Sequence, residues 1–145
     1  MSIFEESHSE WPSRMLSLIR IVAGLVFISF GTMKLFNFPP LPPGMPPIPL
    51  MSQTGIAGFL ETIGGTLIVL GLLTRPVAFV LAGEMAVAYF QFHAPTSFWP
   101  SVNMGVGAMM YCFLFLYLAV AGAGVWSIDT LIARRRLLAT NRGGR

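Results

Sequence analysis

The sequence predicts an all-α polytopic membrane four-helix bundle, with N and C termini cytoplasmic and a Pro-rich outer loop between helices 1 and 2. Three observations lead there. Of 145 residues, 54% are hydrophobic and only 10% charged, whereas a soluble domain carries charge on roughly a quarter of its residues. Four apolar stretches, residues 15–36, 55–73, 76–93 and 102–124, approach the roughly 20 residues that cross the hydrocarbon. The basic residues of the connections fall almost wholly on one side of such a four-span chain, the side that stays cytoplasmic.

Residues 1–14 form the first cytoplasmic segment, 15–130 the transmembrane domain and 131–145 a basic cytoplasmic tail. The first apolar stretch is too long for a signal core, carries Lys34 near its end and lacks a small-residue cleavage site, so it reads as a retained helix. Pro39, Pro40, Pro42, Pro43, Pro46, Pro47 and Pro49 follow. Repeated proline removes backbone donors and holds the chain extended, which excludes a spanning helix here. The segment is a semi-rigid connector or, through Leu41, Met45 and Ile48, a lid on the bilayer surface. Thr74, Arg75 and Pro76 mark a tight hairpin between spans two and three, since proline suits a first helical turn. Ala94 to Ser101, with two prolines and Trp99, is the third connection. Ser127 and Asp129 are candidate caps of a short amphipathic helix that leads into Arg134, Arg135 and Arg136.

Arg14, Arg75, Arg134, Arg135, Arg136, Arg142 and Arg145 all lie on the cytoplasmic side of this topology. Trp11, Trp99 and Trp126 each fall at a helix edge, as in an interfacial aromatic belt. The formal charge of +3 therefore belongs to a tail rather than to a nucleic-acid-binding face. Cys112 is the only cysteine, which excludes an intramolecular disulfide, a CxxC pair and a cysteine zinc site. The two histidines, His8 and His93, are expected on opposite sides of the membrane, so no metal site is expected. Nine methionines and twelve phenylalanines read as lipid-facing and core residues rather than as a copper site.

A charge near the bilayer centre costs at least about 2.5 kcal/mol, yet Arg20, Lys34, Glu61 and Glu84 lie inside spans. Counting depth at about 1.5 Å per residue places Arg20 level with Glu84 near the cytoplasmic side, and Lys34 level with Glu61 near the outer side. Two ion pairs are expected, Arg20 with Glu84 and Lys34 with Glu61. At about 100° per residue, Arg20, Gly24, Gly31 and Lys34 share a stripe on the first helix, and Thr54, Gly58, Glu61 and Gly65 share one on the second. Small residues beside charge let backbones approach in lipid, so these stripes should face neighbouring helices rather than acyl chains. Glu84, Ala88 and Gln91 align on the third helix, and Asn103, Gly107 and Met110 on the fourth. His93 falls on the face opposite Glu84. These polar groups either fix helix register or line a small outward-facing pocket for a ligand, with Lys34, Glu61, Gln91 and Asn103 as its candidate binding residues.

Several segments carry a family resemblance. They are Leu18–Gly24 with Phe30–Phe36, Gly58–Gly65 with Gly71–Pro76, and Tyr111–Gly124 leading into Trp126–Asp129. Together they resemble the DoxX family of four-span bacterial and archaeal membrane proteins over about residues 15–130. The family often shows Asn-Gly-Gly-Glu before its fourth span, where this chain has Asn103, Met104, Gly105 and Val106 and so lacks the acid. The resemblance implies a multi-pass protein of the bacterial cytoplasmic membrane. Its relatives include membrane subunits of thiosulfate:quinone oxidoreductase and a membrane partner in thiol-redox defence.

The function expected is the membrane subunit of a thiol- or quinone-linked oxidoreductase system, with quinone as the cofactor and a soluble redox enzyme as the partner. Small-molecule or lipid transport is the first alternative, and four short helices would then need a homo-oligomer. A non-catalytic anchor or assembly partner is the second, with the arginine-rich tail touching a soluble enzyme or anionic lipid.

Overall fold

A computed structural model describes residues 10–143. His8 and Arg145, singled out above, lie outside the described residues, as does most of the N-terminal segment. The described residues form five α-helices and no strand: α1 Trp11–Phe36, α2 Gln53–Leu70, α3 Thr74–Ala88, α4 Val106–Ala121 and α5 Ile128–Gly143. A π-helical turn, Tyr89–His93, prolongs α3.

Local chemistry sets each boundary. α1 opens with Pro12 in its first turn, where a missing N–H costs nothing. It ends at Asn37, whose left-handed conformation returns its N–H to the last turn just ahead of Pro39. The Ser52 hydroxyl accepts the Gly55 N–H at 3.1 Å and caps α2. Gly71, at φ 66°, ends that helix in the left-handed conformation that glycine adopts without strain. The chain then turns through Leu73 into α3, and the Asp129 carboxylate accepts the Leu73 and Thr74 N–H groups, both at 2.9 Å. Asp129 thus caps α3 from a distant segment, while Ser127 accepts the Thr130 N–H at the start of α5.

The four expected stretches correspond to α1, α2, α3 with its π turn, and α4. The last is shorter than 102–124, because residues 101–105 form turns and Gly122 takes φ 92°. By length and composition, α1 and α2 are able to cross a membrane, and α4 is a shorter apolar helix.

α1 packs on α2 and α3 on α4, with lighter contact between α2 and α3. The α1–α2 seam is built from the glycines of the two stripes. A Cβ on Gly24 would meet the Gly65 carbonyl at 2.7 Å, and one on Gly31 would meet the Gly58 carbonyl at 2.7 Å. Phe27 and Phe115, edge-to-face at 4.5 Å between centroids, join α1 to α4 over a core that includes Ile68, Leu81 and Leu118. The fourth-helix stripe does not turn inward as expected: Gly107 faces open space and Met110 is exposed.

Charge and polarity are arranged inside out. Arg20 is fully buried and Glu61 is 2% exposed, whereas Val120 is 76% and Phe113 65% exposed. Large apolar side chains cover the perimeters of α1 to α4. A monomer facing water seldom carries so much contiguous apolar surface.

Candidate functional site

Two polar centres occupy opposite ends of the bundle. At the first, Arg20 spreads its guanidinium among backbone carbonyls. Its Nε donates to Ala123 O at 2.8 Å and its Nη2 to Trp126 O at 2.5 Å. Its Nη1 donates to Val69 O at 2.6 Å and also to Ile68 O. Ile68 and Val69 lie in the last turn of α2, where the helix dipole is negative; Ile68 O also accepts the Gly71 N–H at 3.1 Å. The expected Arg20–Glu84 ion pair is therefore not formed. The arginine locks α1 to the end of α2 and to the loop after α4.

At the other end, Lys34 Nζ donates to Glu61 Oε1 at 2.5 Å. The pair sits in a pocket of about 640 Å³ between α2 and α3. Glu84 lines the same pocket, joined by Gln53 and Thr54 from α2, Met45 from the Pro-rich segment, and His93. Three carboxylate oxygens there are buried with no hydrogen-bond partner: Glu61 Oε2 and both oxygens of Glu84. Ile56, Leu60, Val80, Val87 and Phe92 form apolar walls and are themselves exposed at the bundle surface. The pocket thus opens sideways, onto the apolar perimeter. Leu60 and Val80 also belong to a second, almost wholly apolar groove of about 320 Å³ that runs along α2 and α3 toward Leu73. The two cavities share a wall.

The structure brings Lys34, Glu61 and Glu84 together, and places two other expected residues elsewhere. Gln91 accepts a hydrogen bond from Gln53 at the exposed edge of the pocket and is not part of its lining. Asn103 is buried and fully engaged in the loop before α4. Its Nδ2 donates to Ser97 O at 2.7 Å and its Oδ1 accepts the Gly105 N–H at 2.7 Å. It organises that loop and does not reach the pocket.

His93 does reach it, against the expectation from regular helical spacing. The π turn is the reason: Ala94 N–H bonds to Tyr89 O, five residues back, at 2.8 Å. One wider turn rotates everything beyond it by roughly a quarter turn relative to an α-helix. His93 Nδ1 lies 3.0 Å from the Asn103 carbonyl. A carbonyl can only accept, so Nδ1 carries a hydrogen in this contact. No signal in the sequence marks a π turn. Chemically the pocket sets three unpartnered carboxylate oxygens beside the Lys34 ammonium, within walls of hydrocarbon. No group of three or more potential metal ligands occurs among the described residues.

Residues 15–94 match the DoxX family. The chain belongs to the DoxX family. It is 39% identical to an uncharacterized protein of Haemophilus influenzae, over 79% of this chain and 87% of that protein. It is 31% identical to an uncharacterized membrane protein of Mycobacterium tuberculosis, over 88% of this chain and 86% of the relative. The inner membrane protein YqjF of Escherichia coli is also 31% identical, over 80% and 90% respectively. No solved structure matches. This DoxX protein is a helical membrane protein, which accounts for its buried ions and apolar perimeter.

Proposed function

We propose that this DoxX protein crosses the membrane four times, through α1, α2, the Thr74–His93 rod and α4, and that its side pocket holds the headgroup of a lipid-soluble quinol. It serves as the membrane subunit of a thiol- or quinone-linked oxidoreductase system. The arginines Arg14, Arg75 and Arg134–Arg136 support cytoplasmic termini, because short basic segments remain on that side.

The observation that carries the ligand is the trio of unpaired carboxylate oxygens on Glu61 and Glu84. A buried acceptor without a partner costs about 1–3 kcal/mol, and more when charged. A ligand that relieves this cost must bring hydrogens. The hydroxyls of a hydroquinone do so, whereas a dione offers only acceptors. The sideways opening admits such a molecule from the bilayer, and the adjoining apolar groove takes its tail. On oxidation of the quinol, Glu61 and Glu84 accept its two protons, and the two electrons pass to a soluble redox partner.

A solute path through the bundle has less support. Phe27, Ile68, Leu81, Phe115 and Leu118 are at most 1% exposed and fill the core between the pocket and Arg20. The test is binding of a short-tailed hydroquinone and its quinone to the protein in lipid nanodiscs. Saturable binding is expected, tighter for the hydroquinone, and weakened about tenfold or more by Glu84→Leu, as for loss of a charge-assisted hydrogen bond. Equal affinity for Glu61→Leu, Glu84→Leu and the unaltered protein would overturn the reading.

A further inference from the structure

A second cavity lies at the opposite end of the molecule, remote from the carboxylate pocket. It measures about 650 Å³ and is walled by Ser13 and Leu16 of α1, the Leu73–Pro76 turn, the Ala121–Val125 loop and the first turns of α5. Arg75 and Arg134 face it from two different segments. Arg75 makes only one weak contact, 3.5 Å to Ala119 O, and neither arginine has a carboxylate partner among the described residues. One acid lines the cavity, Asp129. Its two oxygens accept the Leu73 and Thr74 N–H groups, which hold it at the α3 terminus, and two arginines against this one acid leave the lining net positive. The rest of the lining mixes Ser13, Thr74 and Thr130 with apolar side chains, of which Leu73 and Leu137 stand exposed.

We infer that this cavity is a binding site for an anionic glycerophospholipid, its phosphodiester between Arg75 and Arg134 and its acyl chains over Leu73 and Leu137. Charge complementarity selects the occupant. Two guanidinium groups with unused donors form the planar forks that suit phosphate oxygens. Exposed leucines beside them suit hydrocarbon rather than water. Trp126, exposed and adjacent in the chain to the lining loop, has the amphipathic ring typical of headgroup depth. Basic pockets at the cytoplasmic ends of spanning helices recognise anionic headgroups by this chemistry. A free phosphate would satisfy the arginines but leave the leucines uncovered.

Native mass spectrometry of the detergent-purified full chain tests this, with phosphatidylglycerol, phosphatidylcholine and inorganic phosphate titrated separately. The unaltered protein should retain phosphatidylglycerol in preference to phosphatidylcholine, and inorganic phosphate should bind far more weakly than phosphatidylglycerol. Arg75→Gln with Arg134→Gln should lower phosphatidylglycerol retention on the order of tenfold. Arg135→Gln with Arg136→Gln removes equal charge from α5 outside the cavity, and should change it little. The paired change Arg75→Lys with Arg134→Lys keeps the charge but loses the forks, and should fall between, which separates recognition from misfolding. Equal losses from both glutamine pairs would replace the site with diffuse attraction to the tail. Phosphate binding as tight as lipid binding would replace the lipid with a soluble anion.

Discussion

Lys34 and Glu61 form the kind of contact that residue counting can find. Two long, oppositely charged side chains project from neighbouring helices at similar depth, and either would be costly alone in hydrocarbon. Lys34→Met should therefore destabilise the protein by about 3–5 kcal/mol, since it strands a buried carboxylate. The double change Lys34→Met with Glu61→Leu should recover much of that loss, and thermal unfolding in detergent measures both. Arg20 was not legible in the same way. Its partners are four backbone carbonyls, and any residue can supply a carbonyl, so the sequence offered Glu84 as the nearest formal charge. Asn103 illustrates the same difficulty, for its partners are mainly backbone atoms of its own loop.

At the scale of elements, the glycine stripes of α1 and α2 face a neighbouring helix as expected, because a small-residue stripe beside charge has few uses other than close packing, and the structure adds that they face each other. The structure separates the glycines that matter from those that do not. Gly31→Val should splay α1 from α2, since even a Cβ would approach the Gly58 carbonyl to 2.7 Å. A loss of several kcal/mol or failure to accumulate is expected. Gly107→Ala enters open space and should leave the melting temperature unchanged or slightly raised, as alanine is the better helix former. The fourth helix misled the reading because it is apolar on every side, so periodicity could not orient it. Its deepest core contacts, Phe115 and Leu118, look no different in sequence from the exposed Phe113 and Leu116. The π turn after α3 was invisible for a related reason: it alters angle without altering composition, and it moves His93 from the far face into the pocket.

For the whole molecule, an apolar exterior around a few enclosed ions follows from composition alone, and membership of a family of membrane proteins agrees with it. The topology proposed above expects a cysteine placed at Ser97 to react with a membrane-impermeant maleimide in intact cells, once Cys112 is replaced by alanine. One placed at Thr140 should react only after lysis. Glu61 and Glu84 line one pocket with three unpartnered oxygens, and the proposed function has hydrogen-bond donors enter it from the lipid. A hydrophobic carbodiimide, which partitions into the bilayer and couples to sheltered carboxyl groups, tests it most directly when its adducts are mapped by mass spectrometry. Glu84 should be modified ahead of the exposed Glu10, with Glu61 next, and excess hydroquinone should protect both. Modification confined to Glu10 and Asp129, or labelling of Glu84 that no hydroquinone concentration reduces, would rule out a lipid-entered donor site at this pocket.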